Sequence, residues 1–411
     1  MPKSSRADRR AKDRIAILGT VGVPGNYGGF ETLAENLVAY HARAGQQSML
    51  TVYCSAPAFT DHSECFGTAR RRFLPLNANG VSSIAYDIWS LIDAVLHGHN
   101  RILLLGVSGA LALPLIRLFP SVTIVTNIDG IEWRRGKWNR LARAVLRWSE
   151  WAAVRFSHRV IADNQAIADY VRERYDRPCT VIPYGGDHAL AVDGDFTATA
   201  TLPERYAIAL CRIEPENNVA MILEAFAELD MPLVFFGNWD RSDYGRALKA
   251  RYRDHPTITI HDPVYAPPAL RAARDRATLY IHGHSAGGTN PALVEMMHFA
   301  IPVLAHGCAF NRHSTEGKAR YFETSSELAA EVRALTPEAG AEIGAAMGEI
   351  ARRRYTWDQI GKDYFDLLQL PSGENEALSS TSGHLNTGGR MAVRDPADQT
   401  WSKHRAPNKS A

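Results

Sequence analysis

Twice along this chain, short aliphatic and β-branched runs alternate with segments of helical spacing, and a stretch without periodicity separates the two series. In the first series, strands are expected at Arg14–Leu18, Met49–Cys54, Phe73–Leu76, Ile102–Val107, Val122–Asn127, His158–Ala162 and Cys179–Pro183. In the second they are expected at Tyr206–Leu210, Pro232–Phe236, Ile258–His261, Leu279–His282 and Pro302–Ala305. Such alternation predicts an α/β fold, with two Rossmann-like, doubly wound parallel sheets facing across a cleft. Ligands in such sheets bind beyond the carboxyl ends of the strands. The expected division is a basic disordered arm over 1–13, an N-terminal domain over 14–188, a linker over 189–203 and a C-terminal domain over 204–355. A helix over 356–370 is expected to return to the N-terminal domain, and the Ser-, Gly-, Asn- and Pro-rich 371–411 to form a disordered tail.

A chain of 411 residues is long enough for two cores. A net charge of +2 argues against general nucleic-acid binding, and five widely spaced cysteines without a CxxC pair fit reduced thiols in a cytoplasm. No signal peptide is legible in the charged start. The longest apolar run, 102–116, is too short to span a bilayer and contains Pro114.

Five stretches carry chemistry. In IHGHSAGGTNPALVEMM (281–297), a strand end meets a glycine turn and a helix capped by Thr289 or Asn290 with Pro291 at its first position. That arrangement is a cradle for an anion, with Glu295 one turn inside to accept from a ligand hydroxyl. The loop GTVGVPGNYGGFETLAE puts Gly28-Gly29 at a helix entry, with Glu31 or Glu35 as polar contacts. Its spacing is neither G-x-G-x-x-G nor a P-loop, and the second strand ends in Cys54-Ser55 where a ribose-binding acid would stand, so a dinucleotide site is not expected. Asp129 and Glu132 follow a strand end, where carboxylates orient sugar hydroxyls or act as a base; a simple Asp-Gly turn is the alternative. Arg212 in CRIEPENN, also at a strand end, is placed to neutralise a diphosphate unless Glu214 or Glu216 pairs with it. In His282-Gly-His284 no third ligand follows at metal spacing, so hydrogen bonds to phosphate or sugar are expected and no metal.

The basic segment 133–159 carries eight Lys or Arg against one Glu. On a helical wheel Trp138, Leu141, Val145, Trp148, Ala152 and Phe156 share one face, the expected core face. Arg140, Arg143 and Arg147 lie opposite, where, with Arg134 and Arg135, they suit an anionic membrane surface or a diphosphate-bearing acceptor.

Together IAILGTVGVPGNYGGFETLAENL, DGIEWRRGKW, VIPYGGD, CRIEPENN and HSAGGTNPALVEMM resemble the GT-B glycosyltransferases of the large retaining family numbered four. The likeness is to a subgroup that includes bacterial rhamnosyltransferases and members labelled only as a domain of unknown function. It covers roughly residues 14–370. It implies transfer of a sugar, rhamnose from dTDP-rhamnose or a sugar from another nucleotide diphosphate sugar, to a lipid-linked saccharide in cell-surface polysaccharide synthesis, with retention, no cofactor and no metal. The implied location is cytoplasmic, peripheral on the inner face of the membrane. Gly28 and Gly29 would approach the donor diphosphate and the reacting centre, Arg212 would bind the diphosphate, and Glu295 would hold the ribose. Asn217, His284, Gly287, Gly288, Thr289 and Asn290 would complete the donor site, with Asp129, Arg212 and Gly29 at the chemistry. Three positions depart from the family: Gly287 replaces the first glutamate of the Glu, seven residues, Glu motif, Asn217 a lysine, and Asp129 a histidine. The departures at Gly287 and Asn217 leave open a nucleotide-sugar-binding subunit without catalysis, and another GT-B activity, a nucleotide-sugar epimerase, is a further alternative.

Overall fold

The computed structural model describes residues 13–25, 28–80, 82–128, 130, 133 and 140–370. The tail over 371–411 and nearly all of the basic arm lie outside them. Asp13, grouped with the arm, is buried; its carbonyl accepts from the Met49 amide at 2.9 Å.

The first sheet contains β1 (Arg14–Leu18), β2 (Met49–Ser55), β3 (Cys65–Phe66), β4 (Ala69–Leu74), β5 (Arg101–Leu105), β6 (Thr123–Ile128), β7 (Arg159–Ala162) and β8 (Thr180–Val181). Their spatial order is β3-β4-β2-β1-β5-β6-β7-β8, parallel throughout except for the β3–β4 pair. The second sheet, β11-β10-β9-β12-β13-β14, is parallel throughout. It contains β9 (Tyr206–Leu210), β10 (Leu233–Phe236), β11 (Ile258–His261), β12 (Ala277–His282), β13 (Val303–His306) and β14 (Arg320–Phe322). Central strands covered on both faces need nearly continuous apolar sequence, which RILLL of β5 supplies; β6 (TIVTNI) is as buried but carries Thr123, Thr126 and Asn127. The strands β3 and β14, absent from the sequence expectation, are two- and three-residue edge pieces, too short to show a period.

The helices that frame the site are α1 (Gly29–Arg43), α2 (Ser82–Leu96), α3 (Leu113–Ile116), α4 (Arg140–Phe156) and α5 (Gln165–Tyr175) in the first lobe. The second lobe has α6 (Val219–Phe226), α7 (Asp243–Tyr252), α8 (Pro267–Asp275), α9 (Pro291–Met297), α10 (Ala309–Ser314), α11 (Ser325–Arg333) and α12 (Pro337–Arg354). The last helix, α13 (Trp357–Gln369), packs on α1 of the first lobe: Tyr40 stacks on Phe365 with ring centroids 5.8 Å apart, and Asn127 Nδ2 donates to Tyr364 Oη at 2.6 Å. The aperiodic 189–203 stretch lies along α8, with the Asp195 amide donating to the Pro268 carbonyl at 2.9 Å and Arg276 to that of Thr199 at 2.7 Å.

The chain crosses between lobes at Gly185-Gly186 and returns at Tyr355–Trp357. The Gly186 amide donates to the Tyr355 carbonyl at 2.8 Å, and the Trp357 amide to Asp187 at 2.9 Å. A Cβ on Gly186 would sit 2.7 Å from the Val294 carbonyl carbon and the Glu295 amide nitrogen, backbone atoms that cannot rotate away. Gly186→Ala is therefore expected to destabilise the protein by about 1–3 kcal/mol in urea denaturation. Gly340→Ala is the control: its methyl would meet Pro302 and Leu335 at 3.7 and 3.9 Å, so the gain in helix propensity makes it neutral or stabilising.

Candidate active site

The carboxyl ends of both sheets border a cleft of about 1020 Å³. Gly28, Gly29, Arg212, Asn217, His284, Gly287, Gly288, Thr289, Asn290 and Glu295 all line it, so residues more than 250 positions apart converge there. Asp129, Glu132, Arg134 and Arg135 lie outside the described residues. Their neighbour Gly130 brings the lobes together: a Cβ on it would lie 3.5 Å from the Gly287 Cα.

On the first lobe, α1 points its N-terminus at the cleft, with Gly28 as its cap residue. Glu31 and Glu35, expected as ligand contacts, hold the preceding loop instead. Glu31 Oε1 accepts from the Val21 amide at 3.0 Å and Thr20 Oγ1 at 3.2 Å, and Glu35 Oε2 accepts from the Gly25 amide at 2.9 Å. These bonds are local, within eleven residues, and compete with any ligand for the same oxygens.

On the second lobe, the glycine loop is partly spoken for. Thr289 donates its amide to Asp163 Oδ2 at 3.2 Å and its hydroxyl to the Asp163 carbonyl, tying the loop to the end of β7. Asn290 caps α9 through the Ala292 amide at 3.0 Å, and Pro291 has no N–H. The expected run of amides over 287–290 is thus narrowed, among the described residues, to those of Gly287, Gly288 and Asn290. Gly287 has φ +121°, a conformation that a glutamate would adopt only under strain. The absence of the motif's first acid is therefore built into the loop's backbone.

Arg212 is about two-fifths exposed, with Nη2 3.7 Å from Glu214 and 3.8 Å from Glu216. Both distances exceed a hydrogen bond, so the guanidinium keeps donors for an anion while two carboxylates keep it at the rim. Asn217 is buried and donates from Nδ2 to the Arg212 carbonyl at 2.7 Å. It shapes the Arg212 turn and brings no charge.

Glu295 sits in a network that the sequence does not announce. Arg274, itself buried, donates to Glu295 Oε2, and His188 Nε2 lies 3.3 Å from Glu295 Oε1. The Trp357 indole N–H donates to His188 Nδ1 at 2.9 Å. An indole nitrogen only donates, so Nδ1 is the acceptor and the proton rides on Nε2, facing Glu295. Burial pushes the Glu295 carboxyl up, but the Arg274 charge and the His188 hydrogen bond outweigh it and hold it below the usual range. The carboxylate is ionised and fixed in direction.

His282 is buried, bonded through Nδ1 to Tyr280 Oη at 2.9 Å, and burial holds it well below the ordinary histidine value. It stacks on His284, centroids 4.5 Å apart and planes 17° apart. The pair presents ring faces to one another, and His284 forms the cleft side of the stack.

The basic helix α4 is turned differently from the expectation. Its buried side is Leu146, Ser149, Glu150, Ala152, Ala153 and Val154, whereas Leu141 and Trp148 are 74% and 63% exposed. The segment's one acid decides this: buried Glu150 accepts from Trp133 Nε1 at 3.0 Å, Tyr170 Oη at 2.7 Å and Tyr175 Oη at 2.5 Å. Satisfying a buried carboxylate outranks burying two large apolar side chains. Arg140, Arg143 and Arg147 are exposed as expected, but on the same outer side as Trp148 and Trp151, while the exposed Leu141 borders the cleft. Arg147 also covers the Trp133 ring, 5.1 Å from its centroid.

Two cleft-side acids escaped the sequence reading. Asp163 binds the glycine loop across the lobes, and no motif flags it. Asp87, on α2, lines the cleft wall while only 5% exposed, and burial pushes its carboxyl up to about 8. A lone Asp in an amphipathic helix carries no sequence signal for either fact.

Residues 12–187 match the family model of a domain of unknown function, DUF1972. No curated protein matches the sequence. Among solved structures, the chain is similar to sucrose-phosphate synthase from Thermosynechococcus elongatus, with 15% identity over 87% of this chain and 98% of that one, TM-score 0.73. It is similar to Anabaena HepE in complex with UDP-glucose, with 17% identity over 86% and 99%, TM-score 0.65. A glycosyltransferase from Rickettsia africae aligns at 10% identity over 87% and 98%, TM-score 0.64. The fold is the GT-B arrangement of these proteins.

Arg274 is buried and the Glu295 side chain is only 14% exposed, so removing the arginine leaves a largely desolvated carboxylate facing His188 alone. Arg274→Ala is expected to cost about 3 kcal/mol in urea denaturation, and Arg274→Met with Glu295→Leu to recover most of that loss.

Proposed function

We propose that the chain is a retaining glycosyltransferase that moves a sugar, rhamnose from dTDP-rhamnose, to a lipid-linked saccharide in cell-surface polysaccharide synthesis. The observation that carries the reading is the single cleft on which loops of both lobes end, with the α1 N-terminus on one side and Arg212, Gly287 and Glu295 on the other. The fold shared with a sucrose-phosphate synthase and with a HepE structure holding UDP-glucose supports a nucleotide sugar as donor.

In this reading the nucleoside diphosphate lies against the second lobe. Arg212 and the amides of Gly287 and Gly288 take the diphosphate charge, and Glu295, oriented by Arg274 and His188, accepts from the ribose hydroxyls. Gly28 and Gly29 border the sugar. As the bond from the anomeric carbon to phosphate breaks, the acceptor oxygen bonds to that carbon on the same face. The acceptor proton passes to the departing phosphate oxygen, so the balance needs neither metal nor protein base. Arg212 stabilises the negative charge that develops there, a role whose loss costs on the order of 10²-fold in rate. Sugar transfer from dTDP-rhamnose or UDP-glucose to lipid extract of the cells that make the protein tests this. Arg212→Ala should lower kcat/KM by that factor, and unchanged turnover in both Arg212→Ala and Glu295→Ala would sink the assignment.

The outer side of α4 and the adjoining α3 turn are the surface proposed to meet the membrane. Trp148, Trp151, Leu115 and Leu118 stand exposed among Arg140, Arg143 and Arg147. Interleaved arginines and aromatic side chains suit an anionic interface, the arginines at headgroup phosphates and the rings just below. Among the described residues no helix is long and apolar enough to cross a membrane. Sedimentation with phosphatidylglycerol vesicles should show binding that weakens with salt, and Arg143→Ala with Arg147→Ala should reduce it by roughly tenfold or more. Binding indifferent to both would refute the surface.

A further inference from the structure

Among the described residues, Asp87 is the buried acid of the cleft wall, and the donor arrangement leaves it unused. It sits in the second turn of α2, packed so closely on Gly109 that a Cβ there would lie 2.6 Å from its own Cβ. Among the described residues no N–H or O–H donor bonds to its carboxyl; the nearest bond, from Ser90 Oγ at 2.9 Å, goes to its backbone carbonyl. Glu31, Glu150, Asp163 and Glu295 are each held by donors, so Asp87 stands apart. The carboxyl is largely desolvated, has no protein donor and still opens on the cleft, which points to a ligand that supplies the missing partner.

We infer that Asp87 binds the acceptor saccharide, making hydrogen bonds to its hydroxyls on the first-lobe side of the cleft while the donor lies on the second. The inference rests on the transfer reading and adds to it the residue that selects the acceptor. Its surroundings fit a sugar: Ile84 and Val107 line the same wall as apolar surface for C–H groups, and Asn79 and Ser83 supply further polar atoms. With its carboxyl pushed up to about 8, Asp87 is mostly protonated at neutral pH, so it donates through O–H and accepts through C=O. Two neighbouring hydroxyls of a saccharide match that pair, one donating to the C=O and the other accepting from the O–H. Asp87 takes no proton in the transfer; it fixes the acceptor so that one hydroxyl faces the anomeric carbon.

The test uses the full chain, with dTDP-rhamnose and UDP-glucose as donors and lipid extract of the producing cells as acceptor. Asp87→Leu, which keeps the branching at Cγ though it is larger, should melt near the wild-type temperature and bind donor within about two-fold in a thermal-shift titration. Its acceptor KM should rise at least about tenfold, the loss expected for paired hydrogen bonds. Asp87→Asn, with one donor and one acceptor in nearly the same shape, should recover part of that loss, and it keeps the test readable if leucine does not fit. Transfer by Asp87→Leu within two-fold of wild type, or donor affinity falling in step with transfer, would overturn the inference. A wild type that transfers sugar beside an unimpaired variant sinks this inference alone; a wild type that transfers none sinks the transfer reading and this with it.

Discussion

A nearly buried carboxylate in α9 ties together four distant parts of the chain. Glu295 is bonded by Arg274 from the end of α8 and faces His188 from the crossing between lobes, while His188 is held by Trp357 where the chain returns. A charge buried this far is tolerated only when its partners are fixed, so the network constrains the crossing, the return and the helix that carries the site. Gly186 lets the crossing strand pass against Val294 and Glu295 with no side chain between them. The same contacts that stabilise the join between lobes therefore aim the carboxylate. Stability and site geometry are one problem at this place.

The glycine loop shows a second coupling. Its Gly287 backbone excludes a large acid, and its Thr289 is fastened to Asp163 of the other lobe. A loop so held keeps its remaining amides directed at the cleft without needing the missing glutamate. The diphosphate charge in the proposed mechanism then falls on Arg212, which is loosely flanked by Glu214 and Glu216 and so is able to turn toward a more strongly charged ligand. The departure at Asn217 has a similar explanation, because that side chain is buried under the Arg212 turn, where a lysine's charge would have no place.

Helix α4 is where reasoning from periodicity failed most plainly. Its apolar residues fall on a regular stripe, and a stripe is ordinarily a core face. Yet the side that packs inward is the one carrying Glu150, because two tyrosines and a tryptophan converge on it from α5 and residue 133. A helical wheel weighs hydrophobicity along one helix and knows nothing of donors waiting on another.

The sequence by itself determined the two parallel sheets, because strands buried on both faces must be nearly continuous apolar runs and their alternation with helices leaves few topologies. It also determined that Gly28, Arg212, Gly287 and Glu295 would stand at strand ends or helix starts, since glycine turns, prolines and caps act locally. Tertiary structure alone decided what those residues touch. Arg274 and His188 on Glu295, Asp163 on Thr289, the outward turn of Trp148 and the partnerless burial of Asp87 all depend on segments that meet only when the chain has folded. Hydrogen bonds and desolvation act over a few ångströms of space, and distance along the chain does not encode that proximity.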